Sequence, residues 1–83
     1  MELKDTIELM KSEDYKDRFK AEYWQVRARF DKLCIMHSRM KDGTLDFDPT
    51  CPIEIYTKQI AAMAQYIDIL EQRAELEGIN LYK

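Results

Sequence analysis

The chain has 83 residues, 46% of them apolar and 35% charged, and carries a net charge of −3. That length makes one domain, residues 1–83, near the size at which a single core only just suffices. Two Gly and two Pro leave too few turn residues for an all-β fold, and the negative charge argues against a polymeric nucleic-acid partner, whose affinity needs many phosphate contacts.

No apolar run approaches the length of a membrane span, and Met-Glu-Leu-Lys-Asp at the N-terminus has no signal-peptide pattern. A cytosolic protein without membrane contact is expected. Cys34 and Cys51 lack metal-type spacing and read as buried small hydrophobes in a reducing compartment.

In chain order, residues 3–10 predict a short amphipathic helix with Leu3, Ile7 and Met10 on one side. A helix that short does not hold alone in water, so it must dock. Ser12 offers an N-cap for a long helix, with Glu13 and Asp14 in a first turn where the dipole favours acids. That helix runs to about Lys41, and Asp42-Gly43 stops it. Its seam is Phe19, Tyr23, Val26, Phe30, Leu33, His37 and Met40, an alternation of four- and three-residue steps that winds one helix against another.

Residues 44–51 form a loop whose Leu45 and Phe47 are expected to tuck onto the helices. Thr50 or Cys51 caps the next helix, with Pro52 in its first turn. From there to about Glu77 the seam is Ile53, Tyr56, Ile60, Met63, Ile67, Leu70 and Ala74. Gly78 ends it, leaving residues 79–83 as a short tail. The fold class is all-α: an antiparallel two-helix hairpin with a short N-terminal helix.

The second long helix carries another apolar row, Ile55, Ala62, Tyr66, Ile69 and Leu76, off its seam. A hairpin has one interface and cannot bury both rows, and an exposed row that long marks a partner surface. Assembly into a homo-oligomer follows. The N-terminal helix is an alternative cover for this row, but it is too short for all of it.

One stretch has a charge pattern of its own. Between Tyr15 and Arg29, five basic residues face two acids, a balance of +3 that leaves −6 for the remainder of the chain. Lys16, Lys20, Trp24 and Arg27 share a face beside the seam, with Tyr15, Arg18, Phe19 and Tyr23 around them. Arg clamps a phosphate through paired hydrogen bonds, Lys meets one as a point charge, and a base stacks on an aromatic ring. The plainer reading is a solvated face whose aromatics pack. His37 reads as a packed seam residue, no metal or phosphate-loop motif accompanies it, and the carboxylates alternate with Lys, Arg and Gln as on a wet face. Neither catalysis nor a cofactor is expected. A helical adaptor, binding another protein through the second apolar row, is the alternative to a small-ligand role.

The residues Asp5-Thr-Ile-Glu-Leu-Met10, Asp14 to Tyr23 with Gln25, Arg27 and Lys32-Leu33, and Pro49-Thr-Cys-Pro52 form one part of a wider pattern. Ile60-Ala-Ala-Met63, Tyr66 to Glu71 and Arg73 to Ile79 complete it. Together they resemble the phage anti-CBASS and Thoeris anti-defence family of small hairpin proteins, which act as nucleotide sponges. The resemblance covers nearly the whole chain. It implies a homo-oligomer, commonly a hexamer built as a trimer of dimers, that binds cyclic nucleotide messengers in the host cytosol without cleaving them. The ligands implied are cyclic di- and trinucleotides and cyclic ADP-ribose isomers. The family's phosphate-contacting lysine, in a Lys-Ala-Glu context, matches Lys20, and its stacking aromatic matches Tyr15 or Phe19. For a trinucleotide pocket on the three-fold axis, Arg73 is the candidate that the resemblance offers.

Overall fold

The computed structural model describes all residues 1–83. A 3₁₀ turn, Leu3–Thr6, runs into helix α1, Ile7–Lys11; the long helices are α2, Tyr15–Asp42, and α3, Ile53–Glu77. At 1.5 Å per residue the long helices span about 40 Å, and the molecule measures 43 × 24 × 18 Å. α2 and α3 pack against each other, while the 3₁₀ turn and α1 dock on α2 alone. The fold is all-α, a hairpin of two long helices.

Local chemistry fixes the ends, in places differently from expectation. Asp14, not Ser12, caps α2, its carboxylate accepting from Lys16 N at 2.9 Å. The short Asp side chain reaches that amide, whereas Ser12 Oγ is engaged by Asp14 N at 3.1 Å and Asp17 Oδ2 at 2.8 Å. Pro52 stands at the cap of α3 with ψ 155°, rather than inside its first turn. Both long helices stop at glycine, Gly43 with φ 72° and Gly78 with φ 70°. That left-handed conformation is costly for any residue with a Cβ. It reverses the chain so that Ile79 N bonds back to Ala74 O at 2.8 Å.

The N-terminal segment buries a different face from the one its spacing implied. Ile7 and Met10 lie open, while Leu3 and Leu9 are half-buried and Thr6 is fully buried. A 3₁₀ turn has three residues per turn, which brings positions three apart into line. Thr6 Oγ1 donates to Leu3 O at 2.7 Å and accepts from Gln25 Nε2 at 3.0 Å, so its burial leaves no polar group unmet.

The core is Phe19, Tyr23, Ile67, Leu70, Ala74, Ile79 and Leu81, with Trp24, Val26 and Phe30 packed against it. Ile79 and Leu81 belong to what the sequence presented as a tail. Both seams face each other as expected, but from Val26 to Met40 and from Ile53 to Met63 they are only half-buried. His37 Nε2 lies 2.8 Å from Thr57 Oγ1. The threonine hydroxyl proton goes to Ile53 O at 3.0 Å, so the ring nitrogen is the donor. In the loop Leu45 is half-buried but Phe47 stays 54% exposed, because no third element packs over the two helices at this end. Cys34 and Cys51 are free and half-buried rather than fully buried.

The second apolar row remains on the surface: Ile55, Tyr66 and Ile69 are 42–47% exposed and Leu76 86%. The N-terminal segment covers none of it, since it touches only α2.

Candidate functional site

The basic face of α2 has partners that its spacing did not announce. Lys16 Nζ lies 3.5 Å from Gly78 O, Lys20 Nζ donates to Lys83 O at 3.0 Å, and Trp24 Nε1 donates to Leu81 O at 2.8 Å. The backbone that follows α3 is thus laid along this face with its carbonyls turned to the donors. Gly78 makes that course possible by turning the chain, and the buried Ile79 and Leu81 hold it down.

Lys20 and Trp24 together open into a groove of about 560 Å³. Its other walls are Met1, Asp5, Glu8 and Leu9 from the N-terminal segment and Leu81, Tyr82 and Lys83 from the tail. The Tyr82 ring meets Trp24 edge to face, with centroids 5.7 Å apart and planes at 79°. Trp24 makes a second such contact with Tyr23 at 5.1 Å. The groove therefore holds an ammonium group beside two rings, a combination suited to a planar ligand that carries an anionic group.

A second cluster joins the start of α2 to the end of α3. Arg73 lies over the Phe19 ring, 4.9 Å from its centroid, donates from Nη2 to Tyr15 Oη at 2.8 Å, and from Nε to Glu77 Oε2 at 3.2 Å. Tyr15 in turn donates to Glu77 Oε1 at 2.9 Å, and that bond to a carboxylate raises the phenol's pKa above its ordinary value. Arg73 is thus held in place by a ring, a hydroxyl and a carboxylate.

The seven residues singled out by sequence fall into separate environments. Lys20 and Trp24 share the groove, and Tyr15 belongs to the Arg73 cluster. Phe19 and Tyr23 are core residues, 3% and 1% exposed, so in the single chain their rings are occupied by packing. Tyr23 donates to Glu71 Oε2 at 2.7 Å; burial, then this bond, pushes its pKa well up. Arg27 pairs with Asp31 at 3.5 Å and Glu71 at 4.0 Å, and Arg18 donates to Ser12 O at 2.8 Å, outside both clusters. Tyr82, Asp5 and Glu8 were missed. The signal for Tyr82 was an aromatic residue three positions beyond an apolar one that follows a helix-stopping glycine, which permits a chain reversal but does not say where it lands.

The fold and the groove define a class: an α-helical hairpin with a groove that sets an ammonium group beside two aromatic rings. No helix is long and apolar enough to cross a membrane. A family model described as Sequestin matches residues 13–76, which is most of the chain and all but the last residue of the hairpin helices. The protein belongs to the Sequestin family, whose name speaks of sequestration of a molecule. No match was found among curated proteins or among solved structures.

Proposed function

We propose that this protein sequesters cyclic nucleotide messengers of bacterial antiphage defence, holding them without cleavage in the host cytosol. The observation that carries the reading is that Lys20 and Trp24 meet in one groove on a hairpin of a family named for sequestration. An ammonium group receives the phosphate and a ring receives the base, the latter contributing about 1–3 kcal/mol. The resemblance to nucleotide sponges supplies the class of messenger: cyclic di- and trinucleotides or cyclic ADP-ribose isomers. Retention needs no nucleophile or proton carrier, and the reading assigns none.

A second copy of the chain is the occupant we assign to the exposed row on α3. Its residues recur at spacings that keep them on one helix face, and the half-buried loop end of the hairpin has apolar surface still to cover. Sequestration at low messenger concentration calls for nanomolar affinity, about −12 kcal/mol. A trimer of such dimers is the expected hexamer.

Calorimetry with cyclic di-AMP, cyclic tri-AMP and cyclic ADP-ribose tests the reading. At least one should bind far below micromolar, and heating the complex should release it with unchanged mass. Binding no tighter than micromolar for all of them ends the sequestration reading, and a hydrolysed product ends the claim of retention. Lys20→Ala should weaken binding more than about tenfold, a loss of about 1.4 kcal/mol, without altering the sedimentation coefficient. Leu76→Lys, by contrast, should lower the sedimentation coefficient. If it does not, α3 is not the contact between copies.

A further inference from the structure

The groove at Lys20 and Trp24 is walled mainly by residues that the family match does not reach. Lys20 and Trp24 lie within residues 13–76, whereas Asp5 and Glu8 precede that span and Leu81, Tyr82 and Lys83 follow it. What grips a phosphate and a base sits on the hairpin; what surrounds them comes from this chain's own flanks.

Two features of those flanks restrict what fits. The first is charge. Asp5 and Glu8 set two carboxylates in the groove opposite Lys20 and Lys83, Asp5 accepting from Glu2 N at 3.0 Å and Glu8 lying 3.9 Å from Lys11, so its attraction for a ligand with several phosphates is reduced. Few phosphates are favoured, one of them at Lys20, and the acidic side suits hydroxyl or amino groups that donate hydrogen bonds. The second is mobility. Leu81 is anchored, 8% exposed with its carbonyl on Trp24 Nε1, whereas Tyr82 is 74% exposed and its backbone N bonds only the neighbouring Asn80 Oδ1 at 3.0 Å. The Tyr82 ring can therefore re-angle by side-chain rotation while Leu81 holds the tail in place. A base entering beside Trp24 converts the edge-to-face pair into a stack, and a phosphate takes the place of Lys83 O on Lys20.

We propose that Tyr82, Asp5 and Glu8 are the selectivity-determining residues of this groove. They fit it to a ligand with one base: that base between Trp24 and Tyr82, a phosphate on Lys20, and sugar or base donors toward Asp5 and Glu8. The volume of about 560 Å³ suits a ligand of that size. This inference rests on the cyclic-nucleotide reading above. Among its ligands, cyclic ADP-ribose, with one base and two phosphates, is preferred to cyclic trinucleotides, with three of each.

Trp24 is the single tryptophan, so its fluorescence reports on this groove directly. The full chain is titrated with cyclic ADP-ribose, cyclic di-AMP and cyclic tri-AMP, each also measured by calorimetry. Cyclic ADP-ribose should quench Trp24 and bind tightest. Tyr82→Ala should raise its Kd about tenfold or more, the loss of one stacked ring, and Tyr82→Phe should keep it within about twofold. Asp5→Asn with Glu8→Gln should strengthen cyclic tri-AMP binding about fivefold or more as the repulsion is lifted. If Lys20→Ala weakens binding but Tyr82→Ala does not, this proposal falls and the sequestration reading stands. Calorimetric binding without Trp24 quenching has the same consequence. If no compound binds the unaltered protein by either method, both fall together.

Discussion

The two ends of the hairpin are made from similar sequence and differ in what covers them. At the end that joins the start of α2 to the finish of α3, the chain's own flanks close over the seam. Every fully buried residue lies there, from Thr6 through Phe19, Ala21 and Tyr23 to Ile67, Leu70, Ala74, Ile79 and Leu81. At the loop end the same apolar spacing continues through Phe30, Leu33, Tyr56 and Ile60, yet none of these is more than half-buried. Two helices in contact shield one line of side chains on each; full burial needs a third element. The 3₁₀ turn, α1 and the tail supply it at one end. Nothing within the chain supplies it at the other.

The sharpest way to break this comparison is to truncate one side chain at each end. Leu70→Ala, at a site with no exposure, should cost about 2–5 kcal/mol in urea unfolding. Leu33→Ala, half-buried, should cost less than half as much in dilute protein, and equal losses would mean that the loop end is as well packed as the other. The glycines give a finer comparison. A Cβ at Gly43 or at Gly78 meets nothing within 4 Å, so either Gly→Ala change should cost only the left-handed strain, about 1–2 kcal/mol. Only Gly78→Ala should also weaken ligand binding, because only there does the turn aim a chain segment at the groove.

Alkaline unfolding probes the covered end through Tyr23. The folded state holds the Tyr23 proton more tightly than the unfolded chain does, since burial and Glu71 both oppose the phenolate. Stability from this group is complete below the unfolded value near 10 and declines as pH rises toward the higher folded value. Thermal melts should show the melting temperature falling above about pH 10, less steeply in Tyr23→Phe; identical slopes would show that Tyr23 is not responsible. The smallest effect is expected at the other end. Phe47→Ser removes a ring that is 54% exposed and should change stability by no more than about 0.5 kcal/mol. A larger loss in concentrated protein than in dilute would place Phe47 in a contact between copies.

The candidate site was legible in part. Lys20 and Trp24 are four residues apart on a helix, so spacing alone puts them on one face, and they do line one groove. Phe19 and Tyr23 illustrate the ambiguity of an aromatic seam: the same rings that suit a base also suit a core, and here the core has them. Arg73 could not be linked to Tyr15 and Phe19 from spacing, because their contact crosses the hairpin and depends on the register of α2 against α3.

Periodicity, glycine stops and chain length determined the two long helices, their seams, the reversal between them and the unmatched row on α3. These follow from local geometry, in which 3.6 residues per turn decides which side chains share a face. Tertiary structure decided where the short pieces went: the 3₁₀ turn that selects Leu3, Thr6 and Leu9, and the tail whose carbonyls meet Lys16, Lys20 and Trp24. Segments of five residues carry too little pattern to specify their docking. Their positions come from the surfaces and hydrogen-bond donors that the long helices leave open.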